Sequence, residues 1–97
     1  SKAKAWCKWN QSTHAILASY NIESLEDVGV GKTILHFGIP FKSANYVAVA
    51  ANQTWDNRAY PAAIESGLVY VYSRDDDANY SDIDPCYVVC FGELENE

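Results

Sequence analysis

The sequence predicts an all-β fold: a small antiparallel β-sandwich of about six to eight short strands, joined by turns and two long loops. Three observations predict it. Apolar and polar residues alternate with period two along Ala3–Asn10 and along Leu68–Ser73, as they do in half-buried strands. Aromatics make up 13% of the chain, mainly seven Tyr, a β-rich bias that argues for a folded domain. Turn-forming Gly, Pro, Asn and Asp punctuate the sequence at short intervals, and no segment holds a helical period beyond two turns.

Taken in order, Ala5, Cys7 and Trp9 fall on one face of the first strand, with Lys4, Trp6, Lys8 and Asn10 on the other. Ala15–Ser19 is a short apolar run that reads as a second strand, and Asn21–Asp27 as a third. Gly29-Val30-Gly31 is a turn signal ahead of Lys32–Phe37, which makes these two segments a hairpin. Gly38 and Pro40 break the run. Asn45–Ala51 is then almost continuously apolar, which predicts a central strand covered on both sides. Asn52–Ser66 has no consistent period, so it reads as a long loop with a short helical turn at Ala62–Glu65. Leu68, Tyr70 and Tyr72 alternate with Val69 and Val71. A second polar loop, Arg74–Asp84, leads to the last strand, Cys86–Glu93.

The 97 residues suffice for one domain, spanning 1–97. Ser1 stands where an initiator Met is absent, and the end from Glu93 to Glu97 is acidic. The expectation is a C-terminal piece of a longer protein. A net charge of −6 works against nucleic-acid binding, which needs clustered Lys and Arg to displace counterions. No apolar stretch is long enough to insert in a membrane. Cys86 and Cys90 share a strand face at about 13 Å, beyond bridging distance. Cys7 reaches either one only if the first and last strands are neighbours, and the favoured reading is three buried free thiols. The sequons at Asn10, Asn52 and Asn79 are short enough to arise by chance.

Few residue groups suggest chemistry. Asp75, Asp77, Asn79 and Ser81 offer oxygens at alternate positions, as a calcium loop does, but Tyr80 occupies the place of the sharp-turn Gly and Cys86 that of the bidentate Glu. A solvated acidic turn is the preferred reading. His14, His36 and the cysteines lack zinc spacing, and no nucleophile motif is present. The expectation is a protein without cofactor or metal that binds or assembles and is not an enzyme; a small glycan-cleaving carboxylate pair is the minor alternative. The segment Asn52–Tyr60 mixes flat aromatics with amides and charges, which suits a contact surface. Trp55, Arg58 and Tyr60, with Tyr80 from the second loop, are the candidate ligand-binding or receptor-binding residues.

The series AWCKWN, ILASYNIESLEDVGVGKTILHF, SANYVAVAA and DPCYVVCFGE resembles the C-terminal β modules of tail-fibre and other virion structural proteins of tailed bacteriophages. The resemblance is carried by Ala5-Trp6, Ser19-Tyr20-Asn21, Gly29 with Gly31, Ala44-Asn45-Tyr46 and Phe91-Gly92, in that order. Asn52–Asp84 has no counterpart in it. The resemblance implies a virion location, a homotrimer and a receptor-binding role, attaching to a host-surface glycan or protein through outer loops. The alternative role within the same family is a head-decoration or knob subunit that contacts other virion proteins.

Overall fold

The computed structural model describes residues 2–97, and their fold is an all-β sandwich of eight strands in two antiparallel sheets. The strands are β1 (Ala5–Trp9), β2 (Ile16–Tyr20), β3 (Ile22–Gly29), β4 (Lys32–Phe37), β5 (Val47–Asn52), β6 (Arg58–Glu65), β7 (Leu68–Arg74) and β8 (Cys86–Phe91). Sheet A has the order β2-β1-β8-β5 and sheet B the order β3-β4-β7-β6. The chain's two ends meet in the middle of sheet A, where Ala5 lies opposite Cys90 and Trp9 opposite Cys86.

Alternation decides which face goes inside. Ala5, Cys7 and Trp9 of β1 and Cys86, Val88 and Cys90 of β8 are buried against Leu35 and Phe37 of β4 and Val69 and Val71 of β7. At one end of the sandwich the core is completed by loop residues: Phe41 stacks on Tyr46 with ring centroids 4.1 Å apart, and Phe37 meets both rings edge-on. The Tyr46 hydroxyl lies 2.8 Å from the Glu65 carbonyl and 3.0 Å from that of Leu68, so its polar tip is satisfied inside an apolar cluster. Gly92 passes so close that a Cβ there would sit 2.5 Å from that of Tyr46.

Three expectations are corrected. Asn45–Ala51 does not form a central strand. Its strand, β5, is an edge of sheet A, with Ala48 and Ala50 turned inward and Val47 and Val49 turned out to solvent. The long loop expected over Asn52–Ser66 is a five-residue turn, 53–57, followed by β6, and the helical turn expected at Ala62–Glu65 is strand. A bulge between Pro61 and Ala63 hides the period, and Pro61 is tolerated because β6 is an edge. The second long connection is therefore 38–46.

Both hairpin glycines are required by conformation. Gly29 and Gly31 have φ of 137° and 68°, and a Cβ on Gly31 would stand 2.6 Å from the Ser73 carbonyl oxygen. Although β1 and β8 are neighbours, Cys7, Cys86 and Cys90 are free thiols, each buried. Cys7 faces Val88, between the other two, instead of facing either cysteine.

Candidate binding surface

The sandwich is polar end to end. The connections 10–15, 30–31, 53–57 and 75–85 cluster at one end, whereas Lys4, which bonds Glu97, and the 38–46 loop, which bonds the C-terminal segment, lie at the other. Every candidate contact residue belongs to the first end or to the strand ends that reach it.

That end is held by a buried polar network. Gln11, wholly buried, accepts through Oε1 from the Ile83 amide at 3.1 Å, and the Ser73 hydroxyl lies 2.5 Å from the same oxygen. Its Nε2 approaches Thr33 Oγ1 at 3.4 Å, where Trp9 Nε1 and His14 Nε2 also converge. Asp82 accepts from the Gly31 amide at 2.7 Å. Burial in low dielectric makes each satisfied group structurally decisive, and no buried side-chain N or O among the described residues lacks a partner.

Trp55 sits on the 53–57 turn. Asn52 braces that turn from both sides, with Oδ1 accepting from the Thr54 amide at 2.8 Å and Nδ2 donating to the Asn57 carbonyl at 3.2 Å. The Trp55 side chain is 94% exposed, so it does not tuck back onto the sandwich. Arg58 opens β6 as an exposed residue, opposite Arg74 in register, and forms no salt bridge among the described residues.

Tyr60 and Tyr80 are brought together by a residue that the sequence did not single out. Arg74 donates from Nε to the Tyr60 hydroxyl at 2.9 Å, from one terminal nitrogen to the Tyr80 hydroxyl at 2.6 Å and from the other to the Ala78 carbonyl at 2.8 Å. The bond to Tyr60, followed by the influence of Tyr80, holds the guanidinium even more firmly in its charged form than usual. Tyr72 lies edge-on to Tyr60, Tyr70 and Tyr80, and Lys32 Nζ stands 4.3 Å from the Tyr80 ring centroid. Tyr60 and Tyr80 thus clip the 75–85 loop to sheet B, with their hydroxyls already engaged. The alternation of Tyr70, Tyr72 and Arg74 along β7 was the available signal for this cluster; its union with Tyr80 was not.

The residues considered for metal binding are dispersed. Asp75, Asp76 and Asp77 do group their carboxylates, but Asp75 Oδ1 is occupied by the amides of Asp77 and Asn79, each at 3.0 Å, an Asx turn that closes the loop. His14 bonds Thr33, His36 bonds Glu26, and burial pushes each of the three thiols up to about 12, leaving them protonated at neutral pH. No pocket is found among the described residues.

Fold and surface together define a small all-β sandwich of two antiparallel sheets, one end of which is braced by a buried polar network. No protein-family model matches the chain, and no curated protein or solved structure matches it either.

Proposed function

We propose that this domain is a terminal module of a tailed-phage virion fibre, homotrimeric, that attaches to a host-surface glycan through the end bearing the 53–57 turn. The observation that carries this reading is the presentation of Trp55: a large flat ring is almost fully exposed on a hydrogen-bonded turn, at the end away from both termini. Exposing such a ring is unfavourable unless something covers it, and a pre-ordered ring binds without the entropic cost of fixing a loop. Gln53, Asp56 and Arg58 flank it with the hydrogen-bonding groups that orient a sugar stacked on indole. Individual contacts of this kind are weak, and three copies on one fibre multiply them.

The test is retention of the labelled domain on a panel of bacterial cells and on their purified surface polysaccharides. The wild-type domain binds a subset of the panel, and Trp55→Ala loses about thirtyfold in affinity, the effect of a hot-spot residue, with an unchanged melting curve. Arg58→Ala loses less. Binding to purified virions but to no cell would replace this reading with the decoration role, and release of sugar from the polysaccharides would replace it with the glycosidase.

A further inference from the structure

The chain holds 13 acidic and 7 basic residues, so carboxylates are plentiful for any cation that would use one. Lys4 takes Glu97 and Lys42 takes Glu93, both at the end that holds the termini. Lys32, Arg58 and Arg74 join no ion pair among the described residues, and they collect in one place. Arg58 stands opposite Arg74 across β6 and β7, and Tyr80 pairs with Arg74 on its other side. In the adjoining row Tyr60, Tyr72 and Lys32 lie side by side. The strand residues of this patch project from the outer face of sheet B, because Ala59, Val71, Ser73 and Thr33, which alternate with them, turn inward. The Tyr80 ring is drawn onto the same face by Arg74 and Lys32.

Without an anion this arrangement is unfavourable. Like charges directly opposite on neighbouring strands repel, and no carboxylate sits between Arg58 and Arg74 to relieve them. Tyr80 carries two cations on one ring, with the Arg74 guanidinium carbon 3.9 Å and Lys32 Nζ 4.3 Å from its centroid. Neither flank supplies a neutralising side chain: the β3 partner of Lys32 is Gly29, and β6 is the edge of the sheet. The donors are also in position. The bonds from Arg74 to Tyr60, Tyr80 and Ala78 use one N–H on each nitrogen, and both terminal nitrogens keep a second. Arg58 is exposed and adds a second planar fork beside the first.

We infer that the ligand of this end is an acidic polysaccharide, one uronate carboxylate of which Arg58 and Arg74 share. The inference rests on the glycan reading of the same end and adds the chemistry of the sugar. Guanidinium forks match a planar carboxylate, and Trp55, on the turn that leads into Arg58, offers the stacking face for a sugar ring. The rim of the patch limits how densely the ligand is charged. Asp75, Asp76 and Asp77 group their carboxylates at the tip of the hairpin closed by Arg74 and Tyr80, and Asp56 adjoins Trp55. A nucleic acid, charged at every phosphate, meets those acids as it crosses the patch. A polysaccharide with neutral sugars between its uronates sets neutral rings against them and its carboxylate against the arginines.

The experiment titrates the domain with the uronate-bearing surface polysaccharides purified from the bacterial panel, each before and after chemical reduction of its carboxyl groups to alcohols. Dextran sulfate and double-stranded DNA serve as dense polyanions. At least one uronate polymer binds, and carboxyl reduction weakens it by about tenfold or more. Arg58→Gln loses about tenfold and Lys32→Gln about threefold on the unreduced polymer, with unchanged melting curves, and neither matters on the reduced one. Lys8→Gln, the same loss of charge on sheet A, binds as the wild type does. Binding that survives both carboxyl reduction and Arg58→Gln, but not Trp55→Ala, overturns the inference and leaves the glycan reading standing. Binding to no polysaccharide and no cell removes both. Equal or tighter binding of dextran sulfate or DNA overturns the inference in favour of an unselective cationic patch.

Discussion

The guanidinium carbon of Arg74 lies 3.9 Å from the ring centroid of Tyr80, and the same guanidinium bonds the Tyr80 hydroxyl, the Tyr60 hydroxyl and the Ala78 carbonyl. One side chain thereby ties β6, β7 and the 75–85 loop together. Arg74→Ala is expected to lower the urea unfolding midpoint, modestly because water reaches the guanidinium. Arg74→Lys recovers little of it, because a single ammonium does not reproduce three diverging donors. Full recovery by Lys would show that charge alone matters at this position.

Gln11 is the stronger fastening at this end. Its removal takes the side-chain acceptor from the Ile83 amide in a site closed to water, and leaves the Ser73 hydroxyl with the Ser81 carbonyl alone. Gln11→Ala is expected to lose about 2–4 kcal/mol and to speed hydrogen exchange of the Ile83 amide. Unchanged exchange at Ile83 would mean that the backbone pair between Gln11 and Ile83 suffices.

Two glycines are expected to respond oppositely to the same substitution. Gly31→Ala meets a positive φ and backbone atoms of Ser73 and Ser81 within 2.7 Å, and is expected to cost about 3 kcal/mol. Gly67 has nothing within 4 Å of the position a Cβ would take, so Gly67→Ala is neutral or stabilising by up to about 1 kcal/mol through the unfolded chain. Melting curves of the two variants, measured side by side, check the contrast.

Much of this fold was legible because one buried face forces alternation. Ala5, Cys7 and Trp9 announce β1, and Val69 and Val71 announce β7, each against a polar or aromatic counter-face. Where the outer face is also apolar, the signal fails. Val47 and Val49 read as doubly buried, yet they point outward, since sequence does not say whether an apolar residue meets this chain, another chain or water. The bulge in β6 concealed a strand for a different reason, by shifting the period midway. Trp55 was legible as a candidate. The Tyr60–Arg74–Tyr80 cluster was not, because β7 and the 75–85 loop had to fold back on one another to make it.

The three core thiols predict how stability depends on alkaline pH. Burial moves Cys7, Cys86 and Cys90 from the ordinary 9.0 up to about 12, with Cys7 adding to the shift at Cys86. Between those values the unfolded chain has released thiol protons that the folded chain still holds, so the folded state binds more protons and stability falls as pH rises. The contribution is complete below about pH 9 and declines toward pH 12, by about 1.4 kcal/mol per pH unit for each independent thiol. Tyr46, also raised chiefly by burial, acts in the same direction. Urea unfolding from pH 8 to 10.5 is expected to show a flat region and then a steep fall, and Cys90→Ala to reduce the slope of the fall while lowering stability throughout. Ellman's reagent is expected to find no reactive thiol in the folded protein at neutral pH and all three after unfolding. Stability that stays level to pH 10.5, or rapid labelling of the native protein, would mean that water reaches the thiols and that the β1–β8 core opens far more readily than its packing implies.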